Sequence, residues 1–293
     1  MQLIIQPEAG IAPVIRAIRK AKTSLSICIF RLDRGEIEQA LAAAVQRGVA
    51  VSALIAHTNR GGDNSLRKLE LRMLEIGATV SRTADDLVRY HAKYMIADNV
   101  LHVFGFNFTK LDIDKSRSFA IATKDHKAVA EALKLFTADN NRQPYSPGRS
   151  NLIVSPETSR SSLAAFIKGA RKQLCIYDLK VTDPAMVKLL NDRAAAGVQI
   201  RIIGGVKGTS EAVRVCKPKK RIHIRAIIRD GRSAFVGSQS LRKEELSARR
   251  EVGLLVNNPT VARRILQVFE ADRVEWAKKI EDKADAELAP ALT

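Results

Sequence analysis

Short apolar runs alternate with amphipathic stretches along most of the chain. The run Leu25–Phe30 has the length and apolar content of a buried strand. On either side of it, Ile11–Ala21 and Ile37–Arg47 repeat their apolar residues at helical spacing. Regular alternation of strands and helices is typical of a sheet covered by helices. The pattern therefore predicts an α/β fold.

The same order of elements occurs twice. Leu174–Leu179 is a second strand-like run, and the helical patterns Ser161–Arg171 and Ala185–Ala196 flank it. The opening Leu3-Ile-Ile-Gln-Pro-Glu returns as Leu152-Ile-Val-Ser-Pro-Glu, 149 residues later. Because this period is too long for a solenoid repeat, it indicates two duplicated halves. Each half is predicted to be a mixed β-sheet flanked by helices.

A polar, turn-rich segment separates the two halves. Residues 141–151 contain Pro, Gly, Ser and Asn without hydrophobic periodicity, as expected of a linker. We therefore assign residues 1–140 to the first half and residues 152–282 to the second half. The charged tail, residues 283–293, is predicted to fray.

The halves differ in the segment that follows their third predicted strand. The first half has a charged amphipathic pattern, Asn64–Ile76, which predicts a helix. The second half has only a short predicted helix near Ser210–Val215. A basic stretch follows, and it is expected to be either a solvated loop or a rim that steers anions. Its cations are Lys217, Lys219, Lys220 and Arg221.

A pattern of four residues also recurs in both halves. A histidine is followed by a cation two residues later, an aspartate five residues after that and a glycine seven residues further on. Four chemically active positions at fixed offsets are difficult to explain by packing alone. The two copies are His91, Lys93, Asp98 and Gly105, and His223, Arg225, Asp230 and Gly237.

Each copy of this pattern is predicted to lie on a β-hairpin. His91 and Lys93 are two residues apart in the apolar run Tyr90–Ile96, so an extended chain directs both side chains to one face. Asp98 and Asp230 begin dipeptides that are typical of hairpin turns. The two aspartates thus have a structural interpretation, and we also retain them as catalytic candidates.

The overall charge indicates the class of binding partner. The chain carries 49 Lys and Arg against 31 Asp and Glu, a net charge of +18, which favours nucleic acid, an anionic membrane surface or a phosphorylated substrate. Apolar content of 46% and charged content of 27% are typical of a folded soluble protein. Aromatic content of only 5% argues against a broad stacking platform for single strands.

Other reactive side chains show no comparable pattern. The chain has only 3 cysteines, too few and too scattered for a disulfide framework or a zinc site, and no carboxylate cluster suggests a metal. We expect no cofactor. The absence of a long apolar run or a signal peptide predicts a cytoplasmic protein. The histidines without a repeated partner are expected to be surface or packing residues: His57, His102 and His126.

The repeated pattern resembles the signature of the phospholipase D superfamily, HxK followed by Asp and then Gly-Ser and Asn, present in two copies. Glu251 lies 28 residues after His223, in Arg-Arg-Glu-Val-Gly, and is similar to the downstream glutamate motif of this family. The resemblance implies two phospholipase D-like halves that pack about a pseudo-two-fold axis, so that both histidines face one cleft. Because the duplication supplies both histidines, no oligomer is required.

The chain departs from the family pattern in both copies. Arg225 replaces the second lysine, and Ser240 stands where the family usually has Asn. In the first copy Phe106 replaces the serine, Asn107 falls one position early, and the downstream glutamate is absent. Since Arg differs from Lys in reach and shape, the site is expected to be tuned or weakened.

The resemblance implies a metal-independent reaction through a covalent phosphohistidine. We expect His91 to be the nucleophile and His223 the general acid and base, with the reverse assignment as the alternative. Lys93 and Arg225 are expected to stabilise charge on the phosphate oxygens. Glu251 is expected to orient an imidazole through its Nδ1–H group. The other predicted phosphate ligands are Asn107, Ser238 and Ser240.

Three functions are compatible with these residues. We favour a phosphodiesterase that acts on nucleic acid, because of the net charge and the cations beside the second motif. A phospholipid hydrolase or phosphatidyl transferase would use the same chemistry at phosphorus and would contact the membrane peripherally. The third alternative is a catalytically degenerate protein that binds nucleic acid or anionic membranes.

Overall fold

The computed structural model describes residues 1–59 and 61–288. Seven strands of the first half form one mixed sheet, in which the edge formed by the second, third and fourth strands is parallel and the remaining pairs are antiparallel. The strands of the first half are β1 (Gln2–Gln6), β2 (Ser24–Ile29), β3 (Ala50–Ile55), β4 (Thr79–Arg82), β5 (Arg89–Tyr90), β6 (Tyr94–Ala97), β7 (Val100–Phe104) and β8 (Ser118–Thr123). Their order in the sheet is β1-β8-β7-β6-β2-β3-β4.

The second half forms a second mixed sheet, and this sheet also contains β5 of the first half, which pairs in parallel with the last strand. Its own strands are β9 (Leu152–Ser155), β10 (Gln173–Val181), β11 (Gln199–Val206), β12 (Val213–Cys216), β13 (Arg225–Arg229), β14 (Ser233–Gly237) and β15 (Arg249–Val256). The order is β12-β11-β10-β13-β14-β15-β5, and β9 pairs with β15. The two mixed sheets with flanking helices confirm the predicted fold class.

Several helices start at a side-chain cap or at a proline. Asp125 and Asp183 each accept a hydrogen bond from the third residue of the following helix, which satisfies a free backbone N–H group there. Among the helices of the described residues, none is both long and apolar enough to cross a bilayer. The helices are α1 (Ala12–Lys20), α2 (Gly35–Gln46), α3 (Gly62–Glu75), α4 (Lys110–Asp114), α5 (His126–Asn140), α6 (Ser159–Lys168), α7 (Pro184–Ala195), α8 (Lys243–Ser247) and α9 (Pro259–Leu288).

Three large apolar cores hold these layers together, and Phe30, Ala56 and Tyr90 form a fourth, small cluster. A central core joins the facing sides of the two sheets to α5 and α9, and aromatic rings cross it, with Tyr177 in edge contact with both Phe119 and Phe269. Two outer cores lie between each sheet and the helices of its own half. Because the central core contains residues from both halves, the halves are packed directly on each other.

The structure corrects three details of the sequence analysis. The predicted helix at Ser210–Val215 is wrong: Val213–Cys216 is strand β12, which pairs in parallel with β11 because its alternating valines suit a sheet edge. The run Tyr90–Ile96 is not one strand but two, β5 and β6, with His91 between them. The predicted frayed tail begins inside α9, and its residues 289–293 lie outside the described residues. The domain boundaries stay a prediction.

Candidate active site

Both motif histidines line one cavity of about 400 Å³ where the two halves meet. His91 immediately precedes the hairpin β6–β7 of the first sheet, and His223 precedes the hairpin β13–β14 of the second sheet. The packing of the halves therefore brings together two imidazoles that lie 132 residues apart in the chain. This is the arrangement that the resemblance to the phospholipase D superfamily implied.

The backbone of each histidine is held by the opposite half. The N–H group of His91 donates to the carbonyl oxygen of Arg250 at 2.8 Å, and the N–H group of His223 donates to the carbonyl oxygen of Arg117 at 3.0 Å. Both arginines are buried. The position of each imidazole thus depends on a backbone carbonyl group that the other half supplies.

The side chains of these two arginines form buried ion clusters that link the halves. Arg250 contacts Asp139 of the first half at 3.1 Å and Glu157 of the second half at 2.7 Å, and it donates to the carbonyl oxygen of Ser155 at 3.0 Å. Arg117 makes the equivalent contacts in the other direction, to Asp272 at 2.8 Å, Glu8 at 2.6 Å and the carbonyl oxygen of Gln6 at 2.7 Å.

Glu251 lies beside the histidine of the opposite half. Its carboxylate oxygens are 2.9 and 3.1 Å from Nδ1 of His91, and its side chain is fully buried. One proton between Nδ1 and this carboxylate satisfies both groups and leaves the Nε2 lone pair of His91 available. Burial, and then the charges of Lys93 and Arg225, hold the pKa of His91 well below its usual value. The imidazole is therefore neutral at physiological pH.

Lys93 is buried and makes a contact that the sequence did not predict. Its ammonium group donates to the carbonyl oxygen of His91 at 2.6 Å and lies 5.1 Å from the centroid of the Phe30 ring. Burial lowers the pKa of Lys93 to about 7, and the carboxylate of Glu251 opposes this effect. Lys93 does not line the cavity, so the predicted phosphate contact requires its ammonium group to leave or share this carbonyl partner and reach the cavity.

We expect this lysine to make anion binding dependent on pH. Because its pKa is lowered, its charge is lost as the pH rises through about 7, so the affinity for sulfate should fall by up to about tenfold per pH unit above this value. The Lys93→Arg variant stays charged and should show no such fall. Titration calorimetry with sulfate between pH 6 and 9 tests this, since sulfate itself does not titrate there. An identical decline in both proteins would assign it to another group.

His223 has a different set of neighbours. Its Nδ1 atom is 3.0 Å from the carbonyl oxygen of Gly105, which can only accept, so Nδ1 carries a proton and Nε2 faces the cavity. Nε2 lies 3.4 Å from Nδ2 of Asn107 and 3.6 Å from Oδ2 of Asp112. Burial lowers the pKa of His223 to about 3, although Asp112 opposes this shift.

Asp112 is a site residue that the sequence analysis missed. It is buried at the N-terminal end of α4, where Oδ2 accepts from Nδ2 of Asn107 at 2.7 Å and Oδ1 accepts from Arg221 at 2.9 Å. Glu245 occupies the same place in α8, 133 residues later, and is also buried. This second repeated offset is the signal from which the carboxylate could have been found.

The cavity is strongly basic. Glu245 is the single acidic residue in its lining among the described residues, and this carboxylate is bonded to Arg242 and Arg249. The Nε atom of Arg225 is buried and has no hydrogen-bond partner in the described part of the chain. Four of the lining arginines were missed because they come from separate elements. The six are Arg31, Arg89, Arg221, Arg225, Arg242 and Arg249.

The two motif aspartates do not line this cavity, which corrects their catalytic assignment. Asp98 and Asp230 lie in the hairpin turns with φ of 50° and 55°. The carboxylate of Asp98 accepts the backbone N–H groups of residues 22–24 at 2.9 to 3.1 Å. That of Asp230 accepts those of residues 171–173 at 2.8 to 3.1 Å. Both aspartates anchor the turn to the adjacent strand.

The predicted serine ligands are also outside the cavity lining. Ser238 is buried and exchanges hydrogen bonds with the backbone of Val252, at 3.3 Å as donor and 3.2 Å as acceptor. Ser240 donates to the carboxylate of Asp178 and to the carbonyl oxygen of Lys180. Their hydroxyl groups are therefore engaged within the second half.

The basic stretch contributes one residue to the cavity. Arg221 is in its lining, as the rim hypothesis requires. Lys220 instead pairs with Glu275 at 2.9 Å, Lys217 lines a different cavity, and Lys219 is exposed. The steering rim is thus reduced to Arg221, which also holds Asp112.

Comparisons with known proteins agree with this architecture. Residues 14–140, which include the first motif, match the family model described as "Cardiolipin synthase, PLD-like domain". The whole fold is similar to the crystal structure of phosphatidylserine synthase from Haemophilus influenzae Rd KW20, with a TM-score of 0.70 and 11% identity, over 93% of this chain and 85% of that one. Residues 14–140 thus match a phospholipase D-like domain, and the chain as a whole has the two-half fold of phospholipase D-like proteins.

Within this superfamily fold, the chain is also similar to polyphosphate kinases. It is 23% identical over 308 residues to the polyphosphate kinase of Helicobacter pylori (strain J99), a match that covers 95% of this chain and 45% of the relative. The crystal structure of polyphosphate kinase from Porphyromonas gingivalis has a TM-score of 0.75 and 20% identity, over 92% of this chain and 46% of that one. The phospholipase D-like chain thus spans about half the length of the curated relative that it matches.

Proposed function

We propose that the protein is a phosphodiesterase that acts on nucleic acid through a covalent phosphohistidine. The observation that carries this proposal is the pair of neutral imidazoles in one cavity lined by six arginines, with Glu251 at Nδ1 of His91. The match of residues 14–140 to a phospholipase D-like domain supports chemistry at phosphorus.

In the first step, Nε2 of His91 attacks phosphorus and forms an N–P bond, while the P–O bond to the leaving group breaks. Glu251 accepts the hydrogen bond of Nδ1–H and stabilises the positive charge that develops on the ring. The arginines stabilise the negative charge on the non-bridging oxygens.

When substrate binds, Nε2 of His223 takes up a proton from solvent, and His223 donates this proton to the leaving oxygen. A bound phosphodiester adds a negative charge beside Nε2, which favours the imidazolium form, and the carboxylate of Asp112 acts in the same direction. In the second step, neutral His223 takes a proton from water, the resulting hydroxide attacks phosphorus, and the N–P bond breaks. The two steps return both histidines to their starting protonation.

The charge of the chain supports nucleic acid over lipid as the substrate. The net charge of +18 and the cavity arginines suit a polyanionic strand, whose binding weakens steeply with salt. Among the residues that line the cavity, Leu179 is an exposed large aliphatic side chain, a small apolar surface for an acyl chain.

A second candidate is phosphoryl transfer from polyphosphate. Polyphosphate kinases are similar to almost the whole of this chain, and a chain of phosphates would also suit several arginines in one cavity. The shared length of 45% of the relative means that this chain alone corresponds to only part of such an enzyme.

A substrate panel in EDTA separates these functions. We expect cleavage of single- or double-stranded DNA or RNA, and an acid-labile phosphohistidine in the wild type that is absent from His91→Ala. A tenfold rise in salt should raise the KM by at least about tenfold, because phosphate contacts release counterions. Turnover of phosphatidyl vesicles or polyphosphate without nucleic acid cleavage would contradict the proposal. No turnover and no phosphohistidine with any substrate would indicate the degenerate, binding-only alternative.

A further inference from the structure

A second cavity, of about 420 Å³, lies in the first half between α1 and the sheet. It is lined by α1, by the turn between β6 and β7 and by the ends of β1 and β8. His91 precedes β6, whereas this turn is at the other end of the same hairpin, so the second cavity is separate from the active site. None of the residues that line the active-site cavity lines this one.

Three exposed cations surround the opening of this cavity. Arg16 and Lys20 are one turn apart on α1, and Lys124 follows β8. None of the three pairs with an acidic group in the described part of the chain. Asp98 is the acidic residue in the lining, and its carboxylate is occupied by three backbone N–H groups. The cavity therefore has a positive entrance.

The wall of the cavity contains a buried imidazole without a partner. His102 on β7 is only 8% exposed, and its ring makes no hydrogen bond to any described residue. Its ring stacks on Phe104 with centroids 6.1 Å apart, which fixes its plane. Burial lowers the pKa of His102 to about 4, so the ring is a neutral donor and acceptor at physiological pH. The ring nitrogens are not among the fully buried polar atoms that lack a partner, so they are accessible from the cavity, where a ligand or water can bond to them.

In the second half, the region that corresponds to this cavity is filled by side chains. By the repeat offsets, Phe166 corresponds to Ala17 and Arg229 corresponds to Ala97. The guanidinium of Arg229 lies 4.4 Å from the centroid of the Phe166 ring and donates to the Phe166 carbonyl oxygen, so these two side chains fill the space. Two alanines at these positions open it in the first half.

The polar groups of the cavity are also specific to the first half. The second half has no basic residue or histidine at the corresponding positions: Ala165 for Arg16, Gly169 for Lys20, Asn257 for Lys124 and Ala234 for His102. Loss of bulk and gain of polar groups thus coincide in one copy of the duplicated unit.

We propose that this cavity binds a small organic anion with a phosphate or carboxylate head and a compact apolar body. The cations at the entrance hold the head, and His102 supplies a hydrogen bond. Ile4, Ala17 and Ala97 form an apolar floor against the body. The volume lies in the range of small-molecule sites, about 300 to 1,000 Å³.

The test uses phenyl phosphate, benzoate and neutral benzyl alcohol as probes of the full-length protein. We expect phenyl phosphate, benzoate or both to shift the ring signals of His102 in ¹H–¹⁵N NMR spectra, assigned with His102→Asn. Movement of His91 or His223 signals identifies binding in the active site separately. Unmoved His102 signals with both anions, or equal affinity for benzyl alcohol, would overturn the proposal.

Charge-reversal variants locate the anionic head. Arg16→Glu/Lys20→Glu should weaken binding, so that the dissociation constant measured at His102 rises by at least about tenfold. Arg19→Glu is the matched control, because Arg19 is exposed on the same helix and does not line the cavity. Ala17→Phe should abolish binding by restoring the bulk found in the second half. If Arg19→Glu and the double variant weakened anion binding equally, the effect would come from the overall charge of α1, which would overturn the assigned site.

Discussion

Replacing His91 with alanine should reduce the turnover of a phosphodiester substrate by a factor on the order of 10⁴ or more, with little change in substrate affinity. Among the described residues, His91 is the only histidine whose Nδ1 atom is bonded to a buried carboxylate, and its Nε2 atom is therefore free to attack. Without this nitrogen no N–P bond can form, whereas the arginines that bind the phosphate remain. Steady-state kinetics on the proposed nucleic acid substrate measure the effect.

A substrate with an activated leaving group tests which histidine is the nucleophile. Nitrophenolate needs no proton to depart, so bis(4-nitrophenyl) phosphate should restore much of the activity of His223→Ala and none of the activity of His91→Ala. The reverse pattern would assign the nucleophile to His223. His126→Ala serves as the control, since His126 is an exposed residue at the start of α5.

Replacing Arg250 with methionine should lower the free energy of unfolding by about 3 to 5 kcal/mol. The substitution leaves Asp139, which is 2% exposed, and Glu157 without their cation. Burial already raises the pKa of Asp139 to about 7, so this carboxyl can bind a proton, which favours the lower end of the range. Urea denaturation at pH 8, where proton uptake is least favourable, gives the measurement.

Two further variants show whether the loss comes from unpaired charge. Arg250→Met/Asp139→Leu/Glu157→Gln should recover most of the stability, because buried ion clusters can be replaced by apolar groups at little cost. Arg19→Met, at an exposed position, should change stability by less than about 0.5 kcal/mol. A loss below about 1 kcal/mol in Arg250→Met would mean that the cluster does not stabilise the contact between the halves.

Local patterns in the sequence were sufficient to predict most of the fold. Helices α1 and α2 and strand β2 follow directly from apolar spacing, and the repeat offsets predicted two similar halves. The short strand β12 was mistaken for a helix because four residues carry little periodicity, and its pairing with β11 decides its conformation. The division of Tyr90–Ile96 into two strands depends on β15, which is distant in the chain.

The site was predictable only where its residues belong to the repeated pattern or to the family motif. His91 and His223 come together as expected, because their offsets carry the signal, and Glu251 was found from its similarity to the downstream glutamate motif. Arg89 and Arg249 reach the cavity only through the packing of one half on the other, and no local spacing reports that packing. Asp98 was ambiguous from the start, since a turn and a catalytic site favour the same residue type.

The crossed support of the two histidines has a consequence for how such a chain can evolve. Each half carries a reactive histidine whose backbone is held by the other half. The arrangement therefore resembles a domain-swapped dimer whose two subunits have been fused into one polypeptide. Fragments cut within residues 141–151 would each keep a histidine and lose the backbone acceptor that fixes it. Divergence in either copy is therefore constrained by the other, even where their side chains no longer match.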